Sequence, residues 1–103
     1  LLRGALELLV LRVLESEPDH GFGISRRLSD LSKDWLQLEE GSLYPCIYRR
    51  EERGWVRSEV SASHNNRRAR YYRLTDSGKD ELRRQTDNWR LFSEVVGTVL
   101  KRG

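Results

Sequence analysis

Residues 64–73 are the stretch with the clearest chemical potential, because they carry four arginines and two tyrosines but no acidic side chain. Guanidinium groups bind phosphate oxygens through paired N–H donors, and the negative potential of a narrow minor groove attracts them. Polar turn formers precede these arginines, so we expect Arg67, Arg68 and Arg70 at or beside the tip of a hairpin. The pattern predicts contact with nucleic acid; its alternative is a solvated loop.

A second candidate surface lies on a predicted helix over 41–53. Residues at helical spacing that should face inward are Leu43, Cys46 and Ile47. The residues of this helix assigned to DNA contact are Ser42, Tyr44, Pro45, Tyr48 and Arg49. Hydroxyl, phenol and guanidinium groups suit phosphates and guanine, and the first turn offers free backbone N–H groups, with Ser42 as the predicted N-cap. The alternative for the two tyrosines is packing beside the core with their hydroxyl groups in water.

Two more arginines of this helix, Arg50 and Arg53, surround the acidic pair Glu51 and Glu52. Charges of opposite sign at such short spacing usually form a solvated, internally paired surface. We therefore expect these arginines to face water; the alternative for Arg53 is that, like Arg49, it reads guanine or contacts the DNA backbone.

Catalytic and metal chemistry lack the residues that they need. The single cysteine, Cys46, cannot form an internal disulfide, and its inward position indicates a buried structural thiol. His20 and His64 lie too far apart for metal-ligand spacing. No nucleophile is identifiable beside His20, which we expect to be structural. The sequence thus predicts neither an enzyme nor a metal site, and no cofactor.

Hydrophobic periodicity predicts the elements that would position these groups. Helices are expected over 2–15, 21–32, 41–53 and 75–101, and strands over 55–60 and 70–74. Thr75 suits the N-cap of the last helix, and Gly54 suits the end of the third. Three short helices followed by a hairpin are the layout of a winged helix-turn-helix. The predicted fold is mainly α with a small β-hairpin: a winged helix-turn-helix DNA-binding domain over 1–74 and a long C-terminal dimerisation helix over 75–103.

The last predicted helix has a seam that a small domain cannot cover. Alternating steps of three and four select Leu82, Gln85, Trp89, Phe92, Val96 and Val99, of which all but the glutamine are apolar. Leu8 lies outside the main apolar stripe of the first helix, as Leu11 does, and such residues usually pack against a second surface. We expect Leu8 and the apolar seam residues to form a homodimer interface. Trp89 is also a candidate for a pocket that holds a flat apolar ligand, with interface packing as the alternative.

The chain resembles the PadR family of bacterial transcriptional regulators in four segments: LRGALELLVLRVL, HGFGI, EEGSLYPCIYRREERGW and NNRRARYYRLTDSGK. The resemblance covers nearly the whole chain and is strongest to the short subfamily with a single C-terminal helix. It implies a winged helix-turn-helix that dimerises through this helix and represses by occupying operator DNA. It also implies that the helix from Ser42 is the recognition helix, that Tyr44 contacts phosphate, and that Arg67 and Arg68 lie at the wing tip. In some relatives a tryptophan of the C-terminal helix stacks on multidrug ligands, and Trp89 lies in a comparable region.

Composition narrows the class of protein. Charged residues make up 34% of the 103 residues, and the formal net charge is +3. No apolar run approaches the ~20 residues of a membrane-spanning helix, and no signal-like segment opens the chain, so we expect a cytoplasmic protein without membrane partners. Because the chain begins at Leu1 and contains no Met, we expect its natural N-terminus to lie upstream.

These patterns together predict a sequence-specific regulator that binds double-stranded DNA as a homodimer. As a repressor on a pseudo-palindromic operator, it would place its third helix in the major groove and its wing arginines on the flanking backbone or minor groove. A small-molecule effector is a further hypothesis. The alternative function is a winged-helix module that binds a protein partner and has only non-specific affinity for DNA.

Overall fold

A computed structural model describes residues 3–62 and 68–102, which form four helices and one small sheet. The helices are α1 (Arg3–Ser16), α2 (Gly21–Leu31), α3 (Glu40–Glu52) and α4 (Asp76–Arg102). The strands are β1 (Asp19–His20), β2 (Val56–Ala62) and β3 (Arg68–Leu74), which form an antiparallel sheet in the order β1-β3-β2. The predicted fold class, mainly α with a small hairpin in winged helix-turn-helix order, is confirmed. None of the described helices combines the length and the apolar character that crossing a membrane requires.

The hairpin is longer than the sequence alternation predicts. β2 and β3 pair in one register from Val56 opposite Leu74 to Ala62 opposite Arg68, so each strand extends two residues further toward the tip. Polar and basic residues continue the strands because the ladder of backbone hydrogen bonds does not depend on apolar side chains. The predicted tip residue Arg67 lies within 63–67, outside the described residues.

A third strand, which the sequence does not predict, joins the hairpin. β1 places Asp19 opposite Tyr72 and His20 opposite Tyr71. Two residues are too few to show the period of two that indicates a strand, and the proline before them favours a simple break after α1. β1 ties the connection between α1 and α2 to the middle of the hairpin.

α3 begins one residue earlier than expected, and the predicted N-cap is wrong. Glu39 takes the extended backbone of the capping position (φ −83°, ψ 155°) without a side-chain hydrogen bond. Its carbonyl accepts hydrogen bonds from the N–H groups of Ser42 and Leu43, both at 3.0 Å, so Ser42 already lies in the first turn. At the other end Gly54 has a φ of +79°, the left-handed conformation that favours glycine, and the predicted end of the helix is confirmed.

The core lies where α1, α2 and α3 meet the hairpin and the first turns of α4. Its buried members are Val10, Leu11, Val13, Leu14, Ile24, Leu28, Leu43, Cys46, Ile47, Val56, Tyr72, Leu74 and Leu82. Leu11 is fully buried within its own chain, so it needs no second chain to cover it. The inward position of Cys46 is confirmed.

Only the beginning of α4 packs against this core. The helix has 27 residues, about 40 Å at 1.5 Å per residue, and the described molecule extends 56 Å along its longest axis. Thr75 caps the helix as predicted, because its Oγ1 accepts a hydrogen bond from the Gly78 N–H at 3.0 Å. Every described side chain from residue 87 to residue 101 is exposed, so the second half of α4 projects from the domain.

Candidate nucleic-acid interface

The outer face of α3 carries most of the side chains predicted to contact DNA. Ser42, Pro45 and Arg49 are exposed, and Tyr48 keeps 50% of its surface open to solvent. The residues on the opposite side of the same helix are buried in the core. α3 therefore presents one polar and aromatic surface to the exterior, as a recognition helix does.

Tyr44 is half-buried at the junction of α2 and α3. Its ring stacks on Tyr48, with centroids 6.0 Å apart, and its phenol end lies against Gly21 at the start of α2. Burial raises the pKa of Tyr44, and the charges of Glu40 and Tyr48 raise it further. The phenol thus remains protonated at neutral pH and has a proton to donate to a phosphate oxygen.

Hydrogen bonds link the wing to the last turn of α3. Arg68 and Arg70 of β3 are exposed. The Nη1 of Arg70 donates to the Ser58 hydroxyl at 3.1 Å, and this hydroxyl donates to Oε2 of Glu51 at 2.6 Å. The chain of contacts holds one wing arginine beside α3 and brings the two predicted surfaces together.

Carboxylates flank the same surface. Glu39 and Glu40 are exposed at the start of α3, and Glu52 is exposed at its end. These charges repel phosphates, whereas the exposed cations of the wing attract them. Within the described part of α3 and its C-cap, the exposed positive charges therefore lie at Arg49 and Arg53, near the end of the helix, whereas its start is acidic.

Polar contacts that sequence reasoning missed fix the start of α2. The N–H of Gly23 donates to Nδ1 of His20 at 3.0 Å, so His20 is the N-cap and has the structural role expected of it. Arg27 donates from Nη2 to the carbonyl of Val13 at 2.9 Å and lies 3.5 Å from the Asp19 carboxylate. Because histidine is not among the residues that usually cap helices, the sequence carries no clear signal that His20 is the N-cap of α2.

Arg50 contradicts the prediction of a solvated arginine pair on α3. Its side chain is 4% exposed, and its Nη1 lies 2.7 Å from Oε2 of Glu7 on α1. Its guanidinium carbon lies 5.3 Å from the ring centroid of Trp55. The missed signal is the spacing, because Arg50 follows Ile47 by three residues and falls on the inward face. Arg53 is exposed, as expected.

An apolar strip covers about half of the circumference of α4 beyond the core. This α4 strip consists of Trp89, Leu91, Phe92, Val95, Val96, Val99 and Leu100, whose exposures range from 37% to 74%. Four of these seven belong to the predicted seam. Leu91, Val95 and Leu100 were missed because a seam of alternating steps of three and four selects a narrower stripe than this helix carries. Leu82 is 3% exposed within its own chain, so its assignment to the interface is corrected: it belongs to the core.

α1 and α4 line a recess, open to solvent, at the start of the α4 strip. Its volume is about 440 Å³, and its lining includes Glu7, Leu8, Gln85, Trp89 and Phe92. The rings of Trp89 and Phe92 lie 6.0 Å apart, and Leu8 is half-buried. The structure thus brings Leu8 of α1 together with three residues of the predicted seam, Gln85, Trp89 and Phe92.

Metal-ligating and nucleophilic groups are sparse in the described part of the chain. It holds no cluster of three or more metal-ligating side chains. Burial raises the pKa of the Cys46 thiol more strongly than the nearby Arg50 charge lowers it. This thiol is therefore protonated and unreactive at neutral pH.

Comparison with known proteins agrees with this geometry. The model of the transcriptional regulator PadR-like family matches residues 10–84. A PadR family transcriptional regulator from Eggerthella lenta is 31% identical, with 92% of this chain and 83% of that chain covered and a TM-score of 0.78. A PadR family regulator from Clostridium difficile is 28% identical, with 92% of this chain and 97% of that chain covered and a TM-score of 0.80. A PadR-like regulator from Bacillus cereus is 27% identical, with 94% of this chain and 92% of that chain covered and a TM-score of 0.82. The chain belongs to the PadR-like family of DNA-binding transcriptional regulators.

Proposed function

We propose that the protein is a homodimeric repressor that recognises a pseudo-palindromic operator. In this proposal α3 lies in the major groove, and the arginine-rich wing contacts the flanking backbone or minor groove. Each chain supplies one recognition helix, so the two-fold symmetry of the dimer is mirrored by an inverted repeat in the DNA. Occupancy of DNA that overlaps a promoter then lowers transcription.

The α4 strip is the observation that carries the proposal. Its seven apolar side chains are exposed in the single chain, and contiguous apolar surface of this kind is uncommon on monomeric proteins. Charged residues such as Arg90, Glu94 and Lys101 lie on the other half of the helix. The strip of a second copy offers a surface of matching length and character, which supports a dimer with Leu8 at its edge.

The proposed DNA surface combines α3 with the wing. Arg49 has the donors that read guanine or bind phosphate, and Tyr48 lies beside it. Tyr44 would donate to the backbone, and the exposed Arg68 and Arg70 would follow the DNA from the wing. Contacts of the wing to phosphates add affinity for any sequence, whereas contacts of α3 to base edges supply the preference for one.

The recess beside Trp89 supports the effector hypothesis. Its volume of about 440 Å³ lies in the range of small-molecule sites, and the rings of Trp89 and Phe92 suit a flat apolar molecule. Because both rings belong to the α4 strip, a ligand in the recess would lie at the dimer interface. It would then change the affinity for DNA through the interface.

The test begins with duplexes that the protein itself selects from a random library. Fluorescence anisotropy then compares a selected duplex with a scrambled one at two salt concentrations, and sedimentation counts the chains on each duplex. We expect an inverted repeat with half-site centres about 34 Å apart and two chains per duplex. We also expect a preference of about 10³-fold or more over the scrambled duplex, with salt-dependent binding to both.

Equal and weak binding to selected and scrambled duplexes would contradict the proposal and favour the protein-binding module. A reporter gene placed behind the selected sequence then tests repression, because a repressor lowers its expression and an activator raises it. Arg49→Ala is the matched variant within α3, since it should lower the affinity for the selected duplex more than the affinity for the scrambled one.

A further inference from the structure

Arg50 is a buried charged side chain on the helix that reads DNA in the proposed function. It follows Arg49 directly, yet Arg49 faces solvent and Arg50 is 4% exposed. Burial removes the hydration of the guanidinium group, and this cost must be offset by close partners. DNA cannot reach a side chain at this depth, so any role of Arg50 in recognition is indirect.

The partners of Arg50 come from other elements. Its Nη1 lies 2.7 Å from Oε2 of Glu7 on α1, and its guanidinium carbon lies 5.3 Å from the Trp55 ring centroid. Within the described residues its Nε donates no hydrogen bond, and its Nη1 is close to Glu7 but not aligned for one. The Glu7 carboxylate is therefore the main compensation for this charge.

Glu7 and Trp55 connect Arg50 to two different parts of the domain. Glu7 lines the recess between α1 and α4, which also holds Trp89 of the α4 strip. The Trp55 N–H donates to the Arg50 carbonyl, and the Trp55 carbonyl accepts from the Thr75 N–H, both at 3.0 Å. Arg50 thus joins the proposed recognition helix to Trp55 at the base of the wing, through its backbone and its side chain, and to Glu7 in the layer through which two chains would dimerise.

We infer that the Glu7–Arg50 pair is a positioning contact for DNA reading, which sets the angle of α3 relative to α1 and α4 without touching DNA. The inference rests on the proposed function. In a dimer joined through α4, this angle determines the distance and orientation of two recognition helices that must fit half-sites one helical turn apart. A change of angle displaces both reading faces, so it weakens operator recognition more than the general attraction to phosphates.

Stability alone does not require a charge pair at this place. Apolar side chains of similar volume often replace a buried ion pair without loss of stability, whereas removal of one partner leaves an uncompensated buried charge. Replacing both partners therefore separates the positioning role from a contribution to folding.

Three variants test the inference. Glu7→Leu combined with Arg50→Met replaces the pair by apolar side chains, and Arg50→Lys keeps the charge but loses the planar group over Trp55. Arg53→Met is the matched control. Arg53 lies at the same 5.3 Å from the Trp55 ring centroid, but it is exposed and makes no ion pair within residues 3–62 and 68–102.

The measured quantity is the ratio of the affinities for the selected and the scrambled duplex, obtained by anisotropy at one fixed salt concentration. Sedimentation and urea unfolding follow the dimer and the fold of each variant. We expect the double variant and Arg50→Lys to stay folded and dimeric but to lose about tenfold or more in this ratio, the effect of one misread base pair. Their affinity for the scrambled duplex should not change, and Arg53→Met should keep the wild-type ratio.

A wild-type ratio in either folded, dimeric variant of the pair would overturn the inference, because the pair would then only pack. If the double variant does not fold, the ratio of Arg50→Lys decides. A wild type that does not distinguish the two duplexes would instead contradict the proposed function, so the two failures are separable.

Discussion

Gly21, the first residue of α2, lies directly against the phenol group of Tyr44 on α3. A Cβ atom at this position would overlap the hydroxyl oxygen and the adjacent ring carbon of the tyrosine. A side chain at position 21 would therefore have to displace the Tyr44 ring, which fills the space beside the start of α2. This contact holds the ring that the proposed function places on the DNA backbone.

Gly21→Ala is therefore expected to destabilise the fold and to displace Tyr44. The added methyl group meets a rigid ring rather than the end of a flexible chain, and overpacking of this kind costs about 1–3 kcal/mol. Urea unfolding measures the loss. Gly41→Ala is the matched control, because a Cβ at this helical glycine meets nothing within 4 Å and alanine favours a helix. Equal stability of the two variants would show that α2 and α3 can separate at no cost.

One valine and one leucine of α4 should give opposite phenotypes. Val99→Asp places a charge in the α4 strip, where Val99 is 65% exposed, so we expect the dimer to dissociate while each chain remains folded. Leu82→Ala removes a side chain from the core, and a cost of about 2–5 kcal/mol in unfolding free energy is expected. Sedimentation equilibrium and urea unfolding measure the two effects.

Arg90→Asp controls for the new acidic charge, because Arg90 lies on the polar half of α4. It should leave the dimer intact. If the dimer persists with Val99→Asp but dissociates with Arg90→Asp, the interface must lie on the polar half of α4 and not on the α4 strip.

Periodicity predicts the helices, the hairpin and the exposed face of α3 because each depends on local spacing. It fails where a residue type usually seen on the surface is compensated by a distant partner. The acidic residues next to Arg50 in sequence predict a solvated side chain, but its partner in the fold is Glu7 on α1. The seam predicts Leu82 at the interface, although Leu82 lies in the core, because the repeat of apolar residues cannot show where the core ends and the exposed helix begins. The burial of Arg50 and of Leu82 depends on contacts with other elements, which the spacing of residues within one helix cannot predict.

Removal of the wing arginines should weaken binding to every duplex. Arg68→Ala combined with Arg70→Ala is expected to lower the affinity for selected and scrambled DNA alike. It should reduce the slope of log affinity against log salt by about 1 for each arginine that no longer neutralises a phosphate. Anisotropy titrations over a range of salt concentrations give the slope. Arg83 is an exposed arginine on α4, and Arg83→Ala should leave the slope unchanged. An unchanged slope in the wing variant would show that the wing does not contact DNA.

Tyr72 makes the stability of the fold sensitive to alkaline pH. Burial, more than the neighbouring charges, raises its pKa from 10.0 to about 12. Above pH 10 the unfolded chain releases this proton while the folded chain keeps it, so the unfolded state gains stability. The contribution of Tyr72 is fully present below pH 10 and is lost as the pH rises to 12, with a total of about 2–3 kcal/mol for a shift of this size.

Tyr72→Phe should therefore flatten the dependence of unfolding free energy on pH above 10. The aromatic ring stays in the core and only the ionisable group is removed, so the variant and the wild type should show parallel behaviour from pH 7 to pH 9. Urea unfolding at successive pH values measures the difference between the two proteins. An equally steep loss in both between pH 10 and pH 12 would mean that another group governs alkaline unfolding and that the Tyr72 hydroxyl ionises freely in the fold.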